Sequence, residues 1–363
     1  MVQKDARNVR RPPSHLEFLE KPRDLRFDLP MIHDNLIFLI CTPRSGSTLL
    51  QRMLGSHSAI HTHPEPHLLT PLYYSGYYET VNKAPYDHIN AAQALREFAQ
   101  ELPRGEDDYL DALRAYASTL YERVLHPSGK PLFLDKTPAY GLVAPFVAKL
   151  YPRARFIVLT RHPLAITHSV ANSFFNGDYA AADAQNPIAR HYVPALANFM
   201  RDATVPFVHV RYEDLVADPT TQMTRILNHL NLEFEPNVVT YGNQAHITKS
   251  FGDPMNVERH KQPVTTSLHA WASDLQARPD ALHLAQGLVE DLQDDDLSLW
   301  GYPKDALFSA MDSAAPRQTH QRQNPGYRLK RSVLLGLRKN IHQNRLGSAL
   351  KKVRYYCDVL LRE

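Results

Sequence analysis

The sequence predicts an α/β protein in three layers, with helices on both faces of a central parallel sheet. Apolar runs at residues 36–41, 131–135, 155–160 and 205–210 have the length and composition of buried strands. Segments with helical periodicity lie between these runs. Strands that alternate with helices are typical of parallel sheets with crossover connections. The chain has 363 residues, enough for one large domain of this class or two smaller ones.

The first strand leads into the loop TPRSGST at residues 42–48 and then into a helix. A loop of this kind at a helix start directs backbone N–H groups and the helix dipole at an anion, so it is typical of phosphate or sulfate ester binding. It is P-loop-like but not a P-loop, because no lysine follows the glycine, and it is not a dinucleotide fingerprint, which needs more than one glycine. An ordinary turn with a surface arginine is the alternative. The residues expected to bind the anion are Arg44, Ser45, Gly46, Ser47 and Thr48.

A second basic segment follows the strand at residues 155–160. Arg161 closes that strand, and Pro163 suits the first turn of the next helix. Ser169 lies about two turns into the helix, so an arginine and a serine can both contact one further phosphate.

Together with two more segments, these loops resemble the sulfotransferases that use 3'-phosphoadenosine 5'-phosphosulfate (PAPS). The third match is Tyr-Glu-Asp-Leu from Tyr212 with Asp-Pro from Asp218, and the fourth is Trp-Gly-Tyr from Trp300. The four segments occur in the family's order across about residues 34 to 303.

The resemblance implies how the donor nucleotide binds. The first loop would hold the 5'-phosphosulfate, Arg161 and Ser169 the 3'-phosphate, and Tyr212 the adenine. Lys136 would reach the oxygen that bridges phosphate and sulfate, and Arg44 with Lys136 would stabilise the charge that grows on the leaving phosphate. The alternative for Lys136 is a surface lysine paired with Asp135.

The general base distinguishes two branches of the family. The cytosolic small-molecule enzymes carry a histidine two residues after the lysine, but here that position is Pro138. The tyrosyl-protein and glycan enzymes instead carry a glutamate downstream of the first helix, and Glu65 falls at that position. We therefore expect Glu65 to be the base, with Lys136 and Arg44 as the other catalytic residues; a solvent-facing loop carboxylate is the alternative.

Histidines cluster around Glu65. A His-x-His pair on an expected loop, with no cysteine nearby, does not favour zinc, and the family needs no metal. We expect His63 and His67 to line the acceptor pocket. Later in the chain, residues 251–263 resemble the family's loop that closes over the nucleotide, from which Lys261 and Ser267 are expected to contact the phosphosulfate; a polar surface loop with a helix N-cap is the alternative.

The expected organisation is a lead-in (1–33), a sulfotransferase domain (34–315) with a helical acceptor-side insertion (66–130), and a linker with a basic amphipathic helical tail (316–363). Residues 328–363 carry ten Lys or Arg and two Asp or Glu, a net charge of +8, whereas the whole chain carries +3. Such a tail suits an anionic membrane surface or an acidic partner, or a helix packed on the core, and no specific nucleic acid is expected.

The cysteine content and the lengths of the apolar runs bear on the cellular location of the protein. The two cysteines, Cys41 and Cys357, exclude a disulfide framework, and no apolar run reaches the roughly 18 residues of a spanning helix. With a charged N-terminus that does not suit a signal or anchor, the pattern favours a cytoplasmic bacterial enzyme, at most peripheral at the inner membrane surface.

The sequence thus predicts a PAPS-dependent transferase acting on a hydroxyl, less favourably an amine, of a small metabolite, lipid, glycan or peptide. Two other functions stay open: a nucleotide-dependent kinase on a related fold, and a non-catalytic nucleotide-binding protein that acts through its basic tail.

Overall fold

A parallel sheet of five strands forms the centre of the computed structural model, which describes residues 32–79, 88–243, 261–265 and 268–312. The strand order is β2-β3-β1-β4-β5. The strands are β1 (Leu36–Cys41), β2 (Ile60–Pro64), β3 (Leu132–Lys136), β4 (Arg155–Thr160) and β5 (Phe207–Arg211). The predicted α/β class with a parallel sheet is confirmed.

Helices connect the strands and cover both faces of the sheet. The α-helices are α1 (Ser47–Gly55), α2 (Leu69–Tyr73), α3 (His88–Gln100), α4 (Glu106–Leu125), α5 (Ala144–Leu150), α6 (Pro163–Phe174), α7 (Tyr179–Gln185), α8 (Ile188–Arg201), α9 (Tyr212–Ala217), α10 (Pro219–His229), α11 (Ala270–Gln276), α12 (Pro279–Asp291), α13 (Asp294–Leu299) and α14 (Ser309–Asp312). Short 3₁₀ helices lie at Ile32–Asn35, His126–Ser128, Pro138–Leu142, Pro236–Val238, Tyr241–Asn243 and Lys304–Ala306. Within the described ranges, no helix is both long and apolar enough to cross a bilayer.

The central strands are apolar on both faces, as expected for strands covered on two sides. All six residues of β1 are buried. Phe38 and Phe156 face the core layer that contains helices α4 and α8, whereas Leu39 and Ile157 face the layer that contains α1 and α10. This alternation gives three layers and aligns the carboxyl ends of all five strands along one edge.

The edge strand β2 corrects one prediction. The segment with His61 and His63 was expected to be a loop, but it pairs in register with β3, from Ile60 opposite Leu132 to Pro64 opposite Lys136. The strand is not recognisable from its sequence pattern because its residues are polar and it ends in a proline. Both features are tolerated because an edge strand pairs with a neighbour on only one side.

Much of the predicted insertion is helical, and part of it belongs to the core. Helix α4 buries Leu110, Ala117 and Tyr121 against the sheet. At the start of the insertion, the rings of Tyr73 and Tyr78 stack on each other and pack on Phe146. The acceptor-side role of residues 66–130 and the domain boundaries stay predictions; the tail at 316–363, Ser267 and Cys357 lie outside the described residues.

Candidate active site

Each strand of the sheet ends beside one of the predicted site residues. Glu65 follows β2, Lys136 ends β3, the loop with Arg44 follows β1, Arg161 follows β4 and Tyr212 follows β5. Because the strands are parallel, their carboxyl ends meet at one edge of the sheet, where open α/β folds bind their ligands. Residues that are far apart in sequence thus form one row along this edge.

The phosphate loop is shaped by a glycine that Tyr212 covers. Gly46 has φ of 87°, in the left-handed region, and caps the start of α1. A Cβ atom built on Gly46 would lie 2.2 Å from Cδ2 of Tyr212. The loop is closed by Ser45, whose Oγ donates to the carbonyl of Thr42 at 2.8 Å. The position therefore needs glycine both for its backbone conformation and for the approach of the tyrosine ring.

Arg44 joins the phosphate loop to helix α6. Its Nε donates to Oγ of Ser169 at 3.0 Å, and its Nη2 donates to Oγ of Ser173 at 3.0 Å. The guanidinium therefore lies with Ser169, a residue expected to hold the 3'-phosphate. Ser173 was not predicted, although the signal was present: it follows Ser169 by one helical turn, so both hydroxyls share a face of α6.

Arg161 is the centre of the same group. Its Nη1 donates to the carbonyl of Arg44 at 2.9 Å, and its guanidinium lies over the ring of Tyr212, 4.5 Å from the centroid. Its Nε is buried and has no hydrogen-bond partner within the described part of the chain. A buried donor on a cation that lacks a protein acceptor is the expected state of an anion site.

The Trp-Gly-Tyr motif holds the backbone at Arg161. Nε1 of Trp300 donates to the Arg161 carbonyl at 2.8 Å. The Tyr302 hydroxyl donates to the carboxylate of Glu213, which also accepts the backbone N–H of His162 at 3.2 Å. The sequence indicated the motif but not this role, nor the role of Glu213, because the partners lie far apart in the chain.

An aromatic contact packs against the residue that follows Arg161. The ring of His162 stacks on Trp271, with 4.2 Å between centroids. Burial lowers the pKa of His162 to about 3, so the ring is neutral near pH 7.

Glu65 and Lys136 form an ion pair at the other end of the row. Nζ of Lys136 lies 2.5 Å from Oε1 of Glu65. The lysine side chain is fully buried and that of the glutamate is 16% exposed. Asp135 points to the opposite face of β3, so the alternative of a surface lysine paired with Asp135 is wrong.

The two predicted pocket histidines flank this pair. Nε2 of His67 lies 3.7 Å from Oε2 of Glu65, and the His67 backbone adopts φ of 51°. Nδ1 of His63 donates to the carbonyl of Pro64 at 2.8 Å. The left-handed backbone at His67 turns the chain directly after Glu65.

Of the two predicted late-loop residues, Lys261 lies within the described part of the chain. The carbonyl of Lys261 accepts the Gly242 N–H at 3.1 Å, and its side chain is exposed. Nε2 of His57 contacts the carbonyl of Glu233, a structural role. Across residues 32–79, 88–243, 261–265 and 268–312, no group of three or more His, Cys, Asp or Glu is placed to hold a metal ion.

Comparison with known proteins identifies the family. A model of the Sulfotransferase family matches residues 36–236, more than half of the chain, and the chain belongs to this family. The resemblance inferred from the four sequence segments is thereby confirmed. Sulfuryl transfer is the general reaction of the family, and the site described above lies largely within the matched residues.

Individual relatives are distant. The nodulation protein NoeE of Sinorhizobium fredii is 28% identical over 272 residues, which cover 68% of this chain and 61% of that protein. The protein-tyrosine sulfotransferase of Drosophila melanogaster is 23% identical over 234 residues, 63% of this chain and 44% of that protein. The sulfotransferase domain of the Synechococcus PCC 7002 olefin synthase has a TM-score of 0.49 and 25% identity, covering 73% of this chain and 93% of that domain. The chain therefore spans about three fifths of the nodulation protein's length.

Proposed function

We propose that the protein transfers the sulfuryl group of PAPS to an acceptor hydroxyl, with Glu65 as the general base. The observation that carries the proposal is the ion pair between Glu65 and the fully buried Lys136, at the strand edge that also bears the phosphate loop. A buried lysine charge is costly unless it is paired and hydrogen-bonded; Glu65 is the pair here, and a dianionic phosphate leaving group would be a second acceptor.

The residues around Arg161 fit the nucleotide part of the donor. The unpartnered Nε of Arg161 and the hydroxyls of Ser169 and Ser173 suit the oxygens of a 3'-phosphate. The loop before α1 suits the 5'-phosphosulfate, because no side chain in the described structure caps the start of that helix. We assign Arg44 to bridge the two anionic groups, since its backbone lies in the loop and its side chain reaches α6.

The transfer step balances with these groups alone. The acceptor oxygen forms a bond to sulfur, the bond from sulfur to the 5'-phosphate oxygen breaks, and its electron pair stays on that phosphate. The acceptor proton passes to the Glu65 carboxylate. Oε1 of Glu65 already accepts from Lys136, whereas Oε2 is 3.7 Å from His67, beyond hydrogen-bond distance, so we assign the proton to Oε2.

A phenolic hydroxyl is the first acceptor to test, since one relative is named a protein-tyrosine sulfotransferase. We retain small metabolites, lipids and glycans as further classes, and amines as the less favoured nucleophile. We also retain a cytoplasmic location, and a tail at 328–363 that binds anionic membrane surfaces. Family membership disfavours the kinase alternative, because its members transfer sulfuryl groups.

Calorimetric titration with adenosine 3',5'-bisphosphate tests the donor assignment. We expect tight binding of the bisphosphate, weak binding of ATP and a loss of at least about tenfold in affinity for Arg161→Ala. Arg123→Ala is the matched control, because Arg123 is an exposed arginine on α4. Equal affinity for ATP, or an unchanged affinity of the Arg161 variant, would contradict the assignment.

A further inference from the structure

Asp135 is a buried carboxylate on the face of β3 opposite to Lys136. Its side chain is fully buried and accepts three hydroxyl hydrogen bonds. The donors are Tyr121 at 2.6 Å, Thr137 at 2.9 Å and Tyr140 at 3.1 Å. Two of the donors, Tyr121 and Tyr140, belong to the core layer that contains α4.

The carboxylate determines the direction of each hydroxyl. An ionised carboxylate only accepts, so all three hydroxyl protons point at Asp135. The oxygen lone pairs of Thr137 and Tyr140 are then left to accept from other donors. The Leu69 N–H donates to Oη of Tyr140 at 3.1 Å, and the His67 N–H donates to Oγ1 of Thr137 at 3.4 Å.

These two amides belong to the segment that carries Glu65. Residues 65–69 leave the edge strand β2 and turn through the left-handed backbone of His67. A non-glycine residue holds such a conformation only where its surroundings enforce it. The hydrogen bonds donated by His67 and Leu69 fix this turn at the strained residue itself and two residues further along the chain.

We propose that Asp135 is a positioning residue, which acts through Thr137 and Tyr140 to fix the backbone at His67 and Leu69 and so holds Glu65 against Lys136. The importance of this position for catalysis rests on the proposed role of Glu65 as the base. The hydrogen-bond connection itself does not rest on that role.

Two tyrosines provide a matched pair of variants. Tyr121→Phe and Tyr140→Phe each remove one buried hydroxyl bonded to Asp135. Only the Tyr140 hydroxyl also accepts an amide of the 65–69 segment among the described contacts. The two variants therefore lose a similar bond to the carboxylate but differ in the connection to Glu65.

Amide hydrogen exchange, measured by NMR on the full chain saturated with adenosine 3',5'-bisphosphate, tests the proposal. We expect Tyr140→Phe to speed exchange at Leu69 about fivefold or more, and Tyr121→Phe to leave it within about twofold. We expect Asp135→Asn to speed exchange at both His67 and Leu69. Equal exchange at Leu69 in the two tyrosine variants would overturn the proposal, even if Asp135→Asn does not fold.

Turnover measurements distinguish a failure of this proposal from a failure of the proposed function. With radiolabelled PAPS and p-nitrophenol, we expect Tyr140→Phe to lower kcat about tenfold with little change in KM for PAPS, and Tyr121→Phe to retain most of kcat. If Glu65→Gln retains turnover, the base assignment fails while the exchange result still decides the connection. If exchange differs as expected but kcat does not, the segment is held by Asp135 without effect on catalysis, and the positioning role is overturned.

Discussion

The Nη1 atom of Arg161 donates to the carbonyl oxygen of Arg44, 2.9 Å away, and so connects the two loops that we propose bind the anionic ends of the nucleotide. The carbonyl belongs to a residue with φ of 66°, and its side chain in turn reaches Ser169 on α6. Each loop thus supports the residue that the other contributes. Affinity for the two ends of the nucleotide should therefore be coupled, because a change in one loop alters the geometry of both.

Gly46→Ala should weaken nucleotide binding and destabilise the fold. The added Cβ would enter the ring of Tyr212 at 2.2 Å and the residue would keep a left-handed backbone. We expect more than about 2 kcal/mol loss in the free energy of unfolding. Gly129→Ala is the control, since Gly129 has φ of 66° but nothing within 4 Å of its built Cβ, and should lose only about 1 kcal/mol. Denaturant unfolding and bisphosphate titration give both quantities; equal losses in the two variants would contradict the close approach.

Glu65→Gln should lower kcat by about a hundredfold or more, because the amide accepts no proton at neutral pH. Affinity for adenosine 3',5'-bisphosphate should change less than kcat, since the contacts assigned to Arg44 and Arg161 lie elsewhere along the edge and only Lys136 loses a charged partner. Steady-state kinetics with radiolabelled PAPS and a phenolic acceptor measure the effect. Glu101→Gln, a change at an exposed carboxylate after α3, should leave kcat unaltered. A Glu65 variant with near-normal turnover would remove the base assignment.

Ser173→Ala should weaken bisphosphate binding about fivefold while the protein stays folded. Its hydroxyl accepts from Arg44 Nη2, and it lies one turn from Ser169, so both hydroxyls face the same guanidinium. Calorimetry measures the loss. Ser309→Ala serves as the control, because within the described part of the chain that hydroxyl donates to the Ala306 carbonyl of its own turn. Unchanged affinity of the Ser173 variant would restrict the 3'-phosphate contacts to Ser169 and the arginines.

Replacement of His67 by glycine and by alanine should separate backbone from side chain. Both changes remove the imidazole, but only glycine adopts φ of 51° without strain. We expect His67→Gly to be more stable than His67→Ala by about 1 kcal/mol in urea unfolding. If the imidazole lines the acceptor pocket, KM for the acceptor should rise equally in both variants. A rise in His67→Ala alone would instead show that the turn, not the ring, matters.

The free energy of unfolding should depend on pH through the raised pKa of the Asp135 carboxyl. Burial raises the pKa of Asp135 from its ordinary value of 3.8 to about 6, against the opposing effects of its hydroxyl partners and of Lys136. Between these two values the folded protein binds more protons than the unfolded chain, so the contribution of Asp135 to stability falls as pH rises from about 4 to about 6. The total change is up to about 3 kcal/mol.

The difference between the wild type and Asp135→Asn isolates this contribution. The subtraction is needed because burial lowers the pKa of His162 to about 3, which makes stability rise with pH over the same range. Urea unfolding at several pH values measures both proteins. A difference that stays constant from about pH 4 to pH 6 would mean that the Asp135 pKa is not raised.

The sequence predicted most of the sheet because strands β1, β3, β4 and β5 are local apolar runs bounded by loops. It missed β2, since residues 60–64 are polar, end in proline and become a strand only by pairing with β3. The site residues were predictable as positions just after strands. The contacts that their partners make were not predictable, because Ser173, Glu213 and Trp300 bond to residues 129, 51 and 139 positions away.

The sequence by itself determined the fold class and the family, because each was recognised from short segments whose residues are neighbours in the chain. Only the tertiary structure decided which carboxylate Lys136 binds. Asp135 is adjacent in sequence but points to the other face of the strand, whereas Glu65, 71 residues away, is brought alongside by the pairing of β2 with β3. The physical reason is the alternation of side chains along a strand, which separates neighbours in sequence and lets strand pairing choose the contacts.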